Sequence, residues 1–305
     1  MIQGLTAICF MVLFALCSDT CLPVVADSIN MFFTKVLPSV FPFYVASGLL
    51  MSSDLSIKAS QKLTPVTKKL FGLSGSCSIA IFIGLVSGYP AGAKVTADLY
   101  KRNLITRKEA YTLSAFTNNC GPLFIIGTVG AVMLGNSLLG IYLWIIHVLS
   151  ALLTGMVFRC KSEKSNNMSN KPFQCLSPQK SLPLILTDSM MSMVPIAAAI
   201  IFFAALTGIL DALHIIPQCL SPLNGILEIT SGIHRTVLSE CLSPLKKLTI
   251  ISAISAWAGI SVHIQVAGIL TNAGLSCKKY ILGKIFQTLI ATIITLSFFC
   301  FHPVL

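Results

Sequence analysis

Apolar runs separated by short polar, mostly basic patches make up nearly the whole chain. Seven runs read as helical crossings: 5–17, 36–51, 110–132, 138–158, 183–210, 249–270 and 285–301. A helix needs roughly 20 mainly apolar residues to traverse a bilayer, so the shorter of these require tilting, company or interfacial extensions. Two further runs, over 74–99 and 222–244, are too short and too interrupted for clean crossings and read as re-entrant hairpins.

The first of these contains Ser87-Gly88-Tyr89-Pro90-Ala91-Gly92-Ala93-Lys94. Two glycines and a proline within five residues cannot continue a helix: glycine costs backbone entropy, and proline removes a donor and clashes with the preceding turn. The arm before the break, about 12 residues, rises roughly 18 Å as a helix, about half of a ~30 Å hydrocarbon core. The tip therefore falls near mid-membrane, where non-helical backbone is tolerated only inside protein or beside a wet cavity. A glycine-rich packing kink in an ordinary span is the plainer alternative. Similar interruptions occur at Asn118-Asn119-Cys120-Gly121-Pro122 and at Ala258-Gly259.

Composition agrees with the pattern. Of 305 residues 55% are hydrophobic and 10% charged, with mean hydropathy +0.85, which no soluble class matches. The net charge of +11 does not indicate nucleic-acid binding, because the basic residues cluster in loops between apolar runs. Eleven cysteines are scattered without a CxxC pair, so neither a disulfide framework nor a metal site is expected. Met1-Ile2-Gln3-Gly4 lacks the positive start of a cleaved signal peptide. The first run is accordingly taken as a retained span.

Lys58, Lys62, Lys68 and Lys69 precede the first hairpin and Lys101, Arg102, Arg107 and Lys108 follow it, placing both its ends in the cytoplasm. Lys278, Lys279 and Lys284 mark a later cytoplasmic loop, and the lysine-free stretch 211–222 is placed outside. The halves also align. Ser87-Gly88 meets Ser231-Gly232, and Ser114-Ala115, Gly121 and Gly130 meet Ser252-Ala253, Gly259 and Gly268. The expectation is an all-α polytopic membrane protein: an inverted repeat of three spans plus a re-entrant hairpin each, with an extra N-terminal span. Its divisions are an N-terminal segment 1–27, a first repeat 28–158 (hairpin 74–99, broken span 109–135, span 138–158), a cytoplasmic linker 159–181, and a second repeat 182–301 (hairpin 222–244, broken span 248–272, span 284–301). Lys246 and Lys247 would then lie outside, against the charge rule.

The segments Ser87–Lys94 and Asn118–Pro122, with Leu227-Glu228-Ile229-Thr230-Ser231-Gly232 and Ser261-Val262-His263-Ile264-Gln265-Val266 in the second half, resemble the YlbJ-type sporulation integral membrane proteins. That family lies within the nucleoside-recognition (gate-domain) group, which resembles the core of concentrative nucleoside transporters. The resemblance implies an endospore-forming bacterium and movement of dipicolinate, a planar pyridine dicarboxylate, across the outer forespore membrane.

Inverted-repeat transporters bind substrate near the midplane, between hairpin tips and broken helices. The candidate binding residues are Gly88, Tyr89, Gly92, Lys94, Asn118, Asn119, Gly121, Ser231, Gly232, Arg235, Ser261, His263 and Gln265, with Asp98 and Glu228 as coupling or gating groups. Each has a plainer reading. Lys94 pairs with a substrate carboxylate or with Asp98 one turn on. Asn118 and Asn119 bind substrate or cap broken helix ends. Glu228 and Arg235 form a gating pair or a structural one. His263 and Gln265 share a side only if Gly259 unwinds the segment, and Tyr89 and Trp257 stack on an aromatic substrate or simply pack. The expected partners are a small anionic substrate and the lipid bilayer, with no nucleic acid and no cofactor; a homo-oligomer stays open. No nucleophile–base pair or phosphate loop is present, so an enzyme is not expected. A nucleoside transporter and a non-transporting scaffold of spore assembly are the rivals. Polar residues at four separate breaks favour transport over the scaffold.

Overall fold

The computed structural model describes residues 2–160, 181–215 and 217–301, so the linker expected at 159–181 falls almost wholly outside the described residues. The described residues are helical throughout, without strands. In order they form α1 (Ile2–Leu16), α2 (Ser18–Met31), a π-helical turn (Phe32–Val36), α3 (Leu37–Met51), α4 (Asp54–Phe71), α5 (Cys77–Val86), α6 (Ala91–Lys101), α7 (Arg107–Phe116) and a π-helical segment (Leu123–Met133). There follow α8 (Ser137–Val157), α9 (Leu182–Ala212), a 3-10 segment (Gln218–Ile226), α10 (Ile229–Leu238), α11 (Pro244–Trp257), α12 (Gly259–Thr271) and α13 (Lys278–Phe301).

Among the described residues, four stretches are long and apolar enough to cross a membrane: Ser137–Val157, Leu182–Ala212, Pro244–Thr271 and Lys278–Phe301. A fifth is reached by counting Gly4–Leu16 and Ser18–Val36 together, although the chain bends by 98° between them. The sequence had implied seven. The difference lies in two runs: 36–51 forms the 15-residue helix α3, too short to count, and 110–132 is split at Asn118–Pro122 into α7 and a π-helical segment. The lysine-rich stretch read as a loop is instead the helix α4, closed by Gly72 in the left-handed conformation (φ 69°). Its lysines 58, 62, 68 and 69 are exposed.

Local signals explain the starts of the helices between. Thr106 and Glu109 form a reciprocal capping box on α7, and Glu109 also accepts from the Ser74 N–H at 2.8 Å, fixing the entry to the hairpin. Asn136 caps α8 through the N–H groups of Leu138 and Leu139.

The same order of elements occurs in both halves: a first span, a hairpin of two short segments, a helix that breaks, and a long closing helix. Matching helices run antiparallel. Gly208 of α9 lies against Cys21 while Gly48 of α3 lies against Ile185, so α9 descends along α2 and α3. Tyr142 packs on Phe298 (ring centroids 5.2 Å) and Phe158 on Phe286 (5.5 Å), which orders α8 and α13 in opposite directions.

Each hairpin crosses at a pair of glycines. In the second hairpin a Cβ on Gly232 would sit 2.0 Å from the Gly225 Cα; in the first, a Cβ on Gly92 would sit 3.2 Å from the Gly84 Cα. Gly84 and Gly92 also form a notch for the broken span, since a Cβ on either would come within 1.8 Å of the Thr117 carbonyl oxygen.

Candidate functional site

Each broken span touches the tip of the hairpin before it. Gly88 (φ 83°) faces Gly121, whose N–H lies 3.1 Å from where a Gly88 Cβ would be. In the second half Ala258 and Gly259 both have φ of 80°, and the Ser261 N–H donates to the Leu227 carbonyl at 2.9 Å. A side chain at Gly88 or Gly259 would pair positive-φ strain with close backbone approach.

Between these junctions lies a cavity of about 660 Å³, measured out to its mouth. Ser87, Gly88 and Tyr89 from the first tip and Glu228, Ile229 and Thr230 from the second line it, with Cys120 and Gly121 from one break and Ser261 and Gln265 from the other. Val36, Val40, Ile196 and Ile200 from the antiparallel first spans complete the wall.

Six candidates therefore meet at the cavity: Gly88, Tyr89, Gly121, Glu228, Ser261 and Gln265. Gly92 and Gly232 serve the hairpin crossings instead. Ser231 donates its N–H to Glu228 at 2.6 Å, while the Thr230 N–H donates to the other carboxylate oxygen at 3.0 Å. Glu228 thus caps α10, where the helix dipole favours negative charge. It does not pair with Arg235. Arg235 instead forms a bidentate ion pair with Asp211 at the end of α9, Nη1 donating at 3.0 Å to one oxygen and Nη2 to the other. Lys247 donates to the Val237 carbonyl at 2.7 Å, satisfying the end of α10, which gives this charge-rule exception a structural role.

His263 and Gln265 part company. Only Ala258 and Gly259 are unwound; α12 is regular beyond them, so two positions two residues apart point to different sides. Gln265 lines the cavity, whereas His263 accepts or donates at Nδ1 with the Tyr280 hydroxyl (2.7 Å) and meets Trp257 edge-on at 4.4 Å. Trp257 itself donates to the Ile226 carbonyl at 3.3 Å, tying α11 to the second hairpin.

Lys94 and Asp98 border a second cavity of about 690 Å³, shared with Tyr44, Ser47, Asp188 and Ser192. The Lys94 Nζ donates to the Ser192 Oγ at 2.9 Å. The two cavities lie end to end along α3 and α9: Val36 and Val40 with Ile196 and Ile200 on one side, Tyr44 and Ser47 with Ser192 and Asp188 on the other. A hydrogen bond between the Ser47 and Ser87 hydroxyls stands at the divide.

The largest departure from the sequence reading is Lys284. It had been assigned to a cytoplasmic loop, but it lies within α13 and is 1% exposed. Its Nζ donates to the Gln287 Oε1 (2.7 Å), the Asn118 carbonyl (2.8 Å) and the Tyr89 hydroxyl (3.1 Å), and lies 5.0 Å from the Tyr89 ring centroid. Gln287 in turn donates to the Asn119 Oδ1 at 2.9 Å, and the Asn119 Nδ2 donates to the Phe116 carbonyl at 2.7 Å. Both asparagines thus help satisfy the broken end of α7, Asn118 through its backbone and Asn119 through its side chain. Close packing draws Lys284 inside: a Cβ on Gly283 would sit 2.0 Å from the Ala115 carbonyl oxygen. The missed signal is a stripe. Tyr280, Lys284, Gln287 and Thr295 recur at helical spacing and are all buried, while Leu282, Ile285, Leu289 and Ile293 face outward.

The chain resembles known proteins in two comparisons. The family model described as Gate: Nucleoside recognition matches residues 33–157, which contain the first hairpin, its break and α8. The chain is also similar to the sporulation integral membrane protein YlbJ of Bacillus subtilis (strain 168), with 29% identity over 303 residues, 87% of this chain and 74% of the relative. No solved structure matches. The resemblance read from motifs in both halves is thus found again over most of the chain, as a similarity to a sporulation integral membrane protein, and the long apolar helices agree with an integral membrane protein.

Proposed function

We propose that this protein moves a small organic anion across a membrane, binding it in the cavity between the two hairpin tips, and that the anion is dipicolinate crossing the outer forespore membrane. The observation that carries the reading is the cavity itself: both tips, both breaks and both first spans converge on one space of about 660 Å³. Apolar walls with a few placed polar groups suit a planar aromatic body with polar ends. The choice of dipicolinate rests on the family resemblance, and no covalent step is part of the function. The second reading, a nucleoside substrate, is favoured by the description of the matching family.

The deciding experiment is uptake by proteoliposomes containing the purified chain, with labelled dipicolinate and labelled uridine compared side by side. Uptake of dipicolinate and not uridine is expected; the reverse result would replace the first reading with the second.

The proposal takes the halves as an inverted repeat with re-entrant hairpins. The antiparallel course of α9 against α2–α3 and of α13 against α8 supports that arrangement. In a background without native cysteines, a cysteine at position 62 is expected to react only from the cytoplasmic side and one at 211 only from the other. Labelling of both from one side would rule the inversion out.

A further inference from the structure

We propose that Lys284 is the charge-selecting residue of the cavity: its ammonium, set behind the Tyr89 ring, makes the first hairpin tip a site for a carboxylate-class anion. This rests on the transport reading above and adds to it the group that sets the sign of the substrate.

Among the described residues, the cavity lining contains no lysine, arginine or histidine, and its acidic residue is Glu228. An anion entering such a space meets a carboxylate and no first-layer cation. Both Glu228 oxygens already accept backbone N–H groups of α10, which steadies that carboxylate without reversing its sign. A compensating positive charge must come from the layer behind the wall.

Lys284 occupies that layer. Its three hydrogen-bond acceptors are a hydroxyl, a carbonyl and an amide oxygen, none of them a carboxylate. Holding a charged group inside a membrane protein without an opposite charge is expensive, and ionisable residues there commonly mark substrate paths. Tying α13 to the Asn118 carbonyl does not by itself require a charge, because an amide would also donate. What an ammonium adds is a field, weakly screened in a low-dielectric interior. Tyr89 carries that field to the cavity: it lines the wall, accepts from Lys284, and has its own hydroxyl oriented by donation to the Ser255 carbonyl at 3.0 Å.

The test uses the full-length chain in proteoliposomes. Uptake of labelled pyridine-2,6-dicarboxylate is measured with and without competing pyridine-2,6-dicarboxamide, which has the same outline and no charge. The wild-type protein is expected to ignore the diamide. Lys284→Gln should lower dicarboxylate uptake by about 10- to 100-fold, in keeping with loss of a charge-assisted contact. It should also let the diamide compete, a change that a purely structural lysine would not produce. Lys284→Arg should keep most of the discrimination, since the charge stays.

Lys284→Gln protein that elutes as a single species, melts as the wild type does and keeps wild-type uptake and discrimination would overturn the proposal. Should that variant fail to fold, Lys284→Arg decides: a folded arginine variant that no longer rejects the diamide would also overturn it. If the wild-type protein carries a different carboxylate from a mono- and dicarboxylate panel, dipicolinate falls and the Lys284 assignment is judged on that anion. A wild-type protein that carries only uridine overturns both.

Discussion

At the first hairpin tip the helix start is left without a side-chain cap, and the nearest buried charge is a lysine contributed by the last helix. At the second tip a carboxylate from the hairpin itself folds over the helix start and occupies the N–H groups of Thr230 and Ser231. Both tips otherwise share a plan: a glycine crossing, a junction with the following broken span, and a tie to α9, through Lys94 to Ser192 in one and Arg235 to Asp211 in the other. The two tips are alike in these contacts and differ in charge. The cavity is therefore polarised, with an ammonium behind one side and a carboxylate on the other.

The glycine crossings should give the largest effects. Gly92→Val and Gly232→Val place a Cβ 1.8 Å from the Thr117 oxygen and 2.0 Å from the Gly225 Cα, and neither neighbour is a flexible side-chain end. Both variants are expected to lose most of the detergent-extractable, monodisperse protein. Gly268→Val, with nothing within 4 Å of its Cβ, should accumulate normally. Normal accumulation of the Gly232 variant alone would break the parallel between the crossings.

A smaller effect is expected where the tips differ. Glu228→Ala removes the acceptor of two helix-start N–H groups and should lower stability by about 1–2 kcal/mol, read as an earlier melt. Glu228→Gln keeps one acceptor oxygen and should fall between. An unchanged melt for the alanine variant would mean that the second tip needs its carboxylate no more than the first does.

Smallest is the coupling to α9. A double-mutant cycle on Arg235 and Asp211 should return on the order of 1 kcal/mol, because the pair is bidentate but partly exposed. The matching cycle on Lys94 and Ser192 should give less, since one partner is neutral. Equal couplings would remove the distinction between the two ties.

What was legible in the sequence was the set of interruptions. Gly88, Pro90, Gly121 and Gly259 stand out because helix-breaking residues inside apolar runs have few uses, and all four lie at or beside the tip–break junctions. Side-chain destinations were harder to read. His263 and Gln265 depended on how far the chain unwinds at Gly259, a local outcome fixed by contact with Leu227 and Ile229. Arg235 found Asp211 rather than Glu228 because α10 runs past the end of α9, a tertiary fact. Lys284 was misplaced because three lysines within seven residues read as a loop; only the buried stripe of α13 shows which of them turns inward.

The hydroxyl contact of Ser47 with Ser87 has an electrical consequence. On the proposed transport reading, with both cavities filled with water and open to opposite sides, the membrane voltage would fall mainly across the layer between them. A bilayer spreads that drop over ~30 Å; here it would be focused on the depth of a serine pair. An elementary charge crossing 100 mV does about 2.3 kcal/mol of work. An anion moving from one cavity to the other would do nearly all of that work in a single short step, so the rate of that step would respond to membrane potential more steeply than its length suggests.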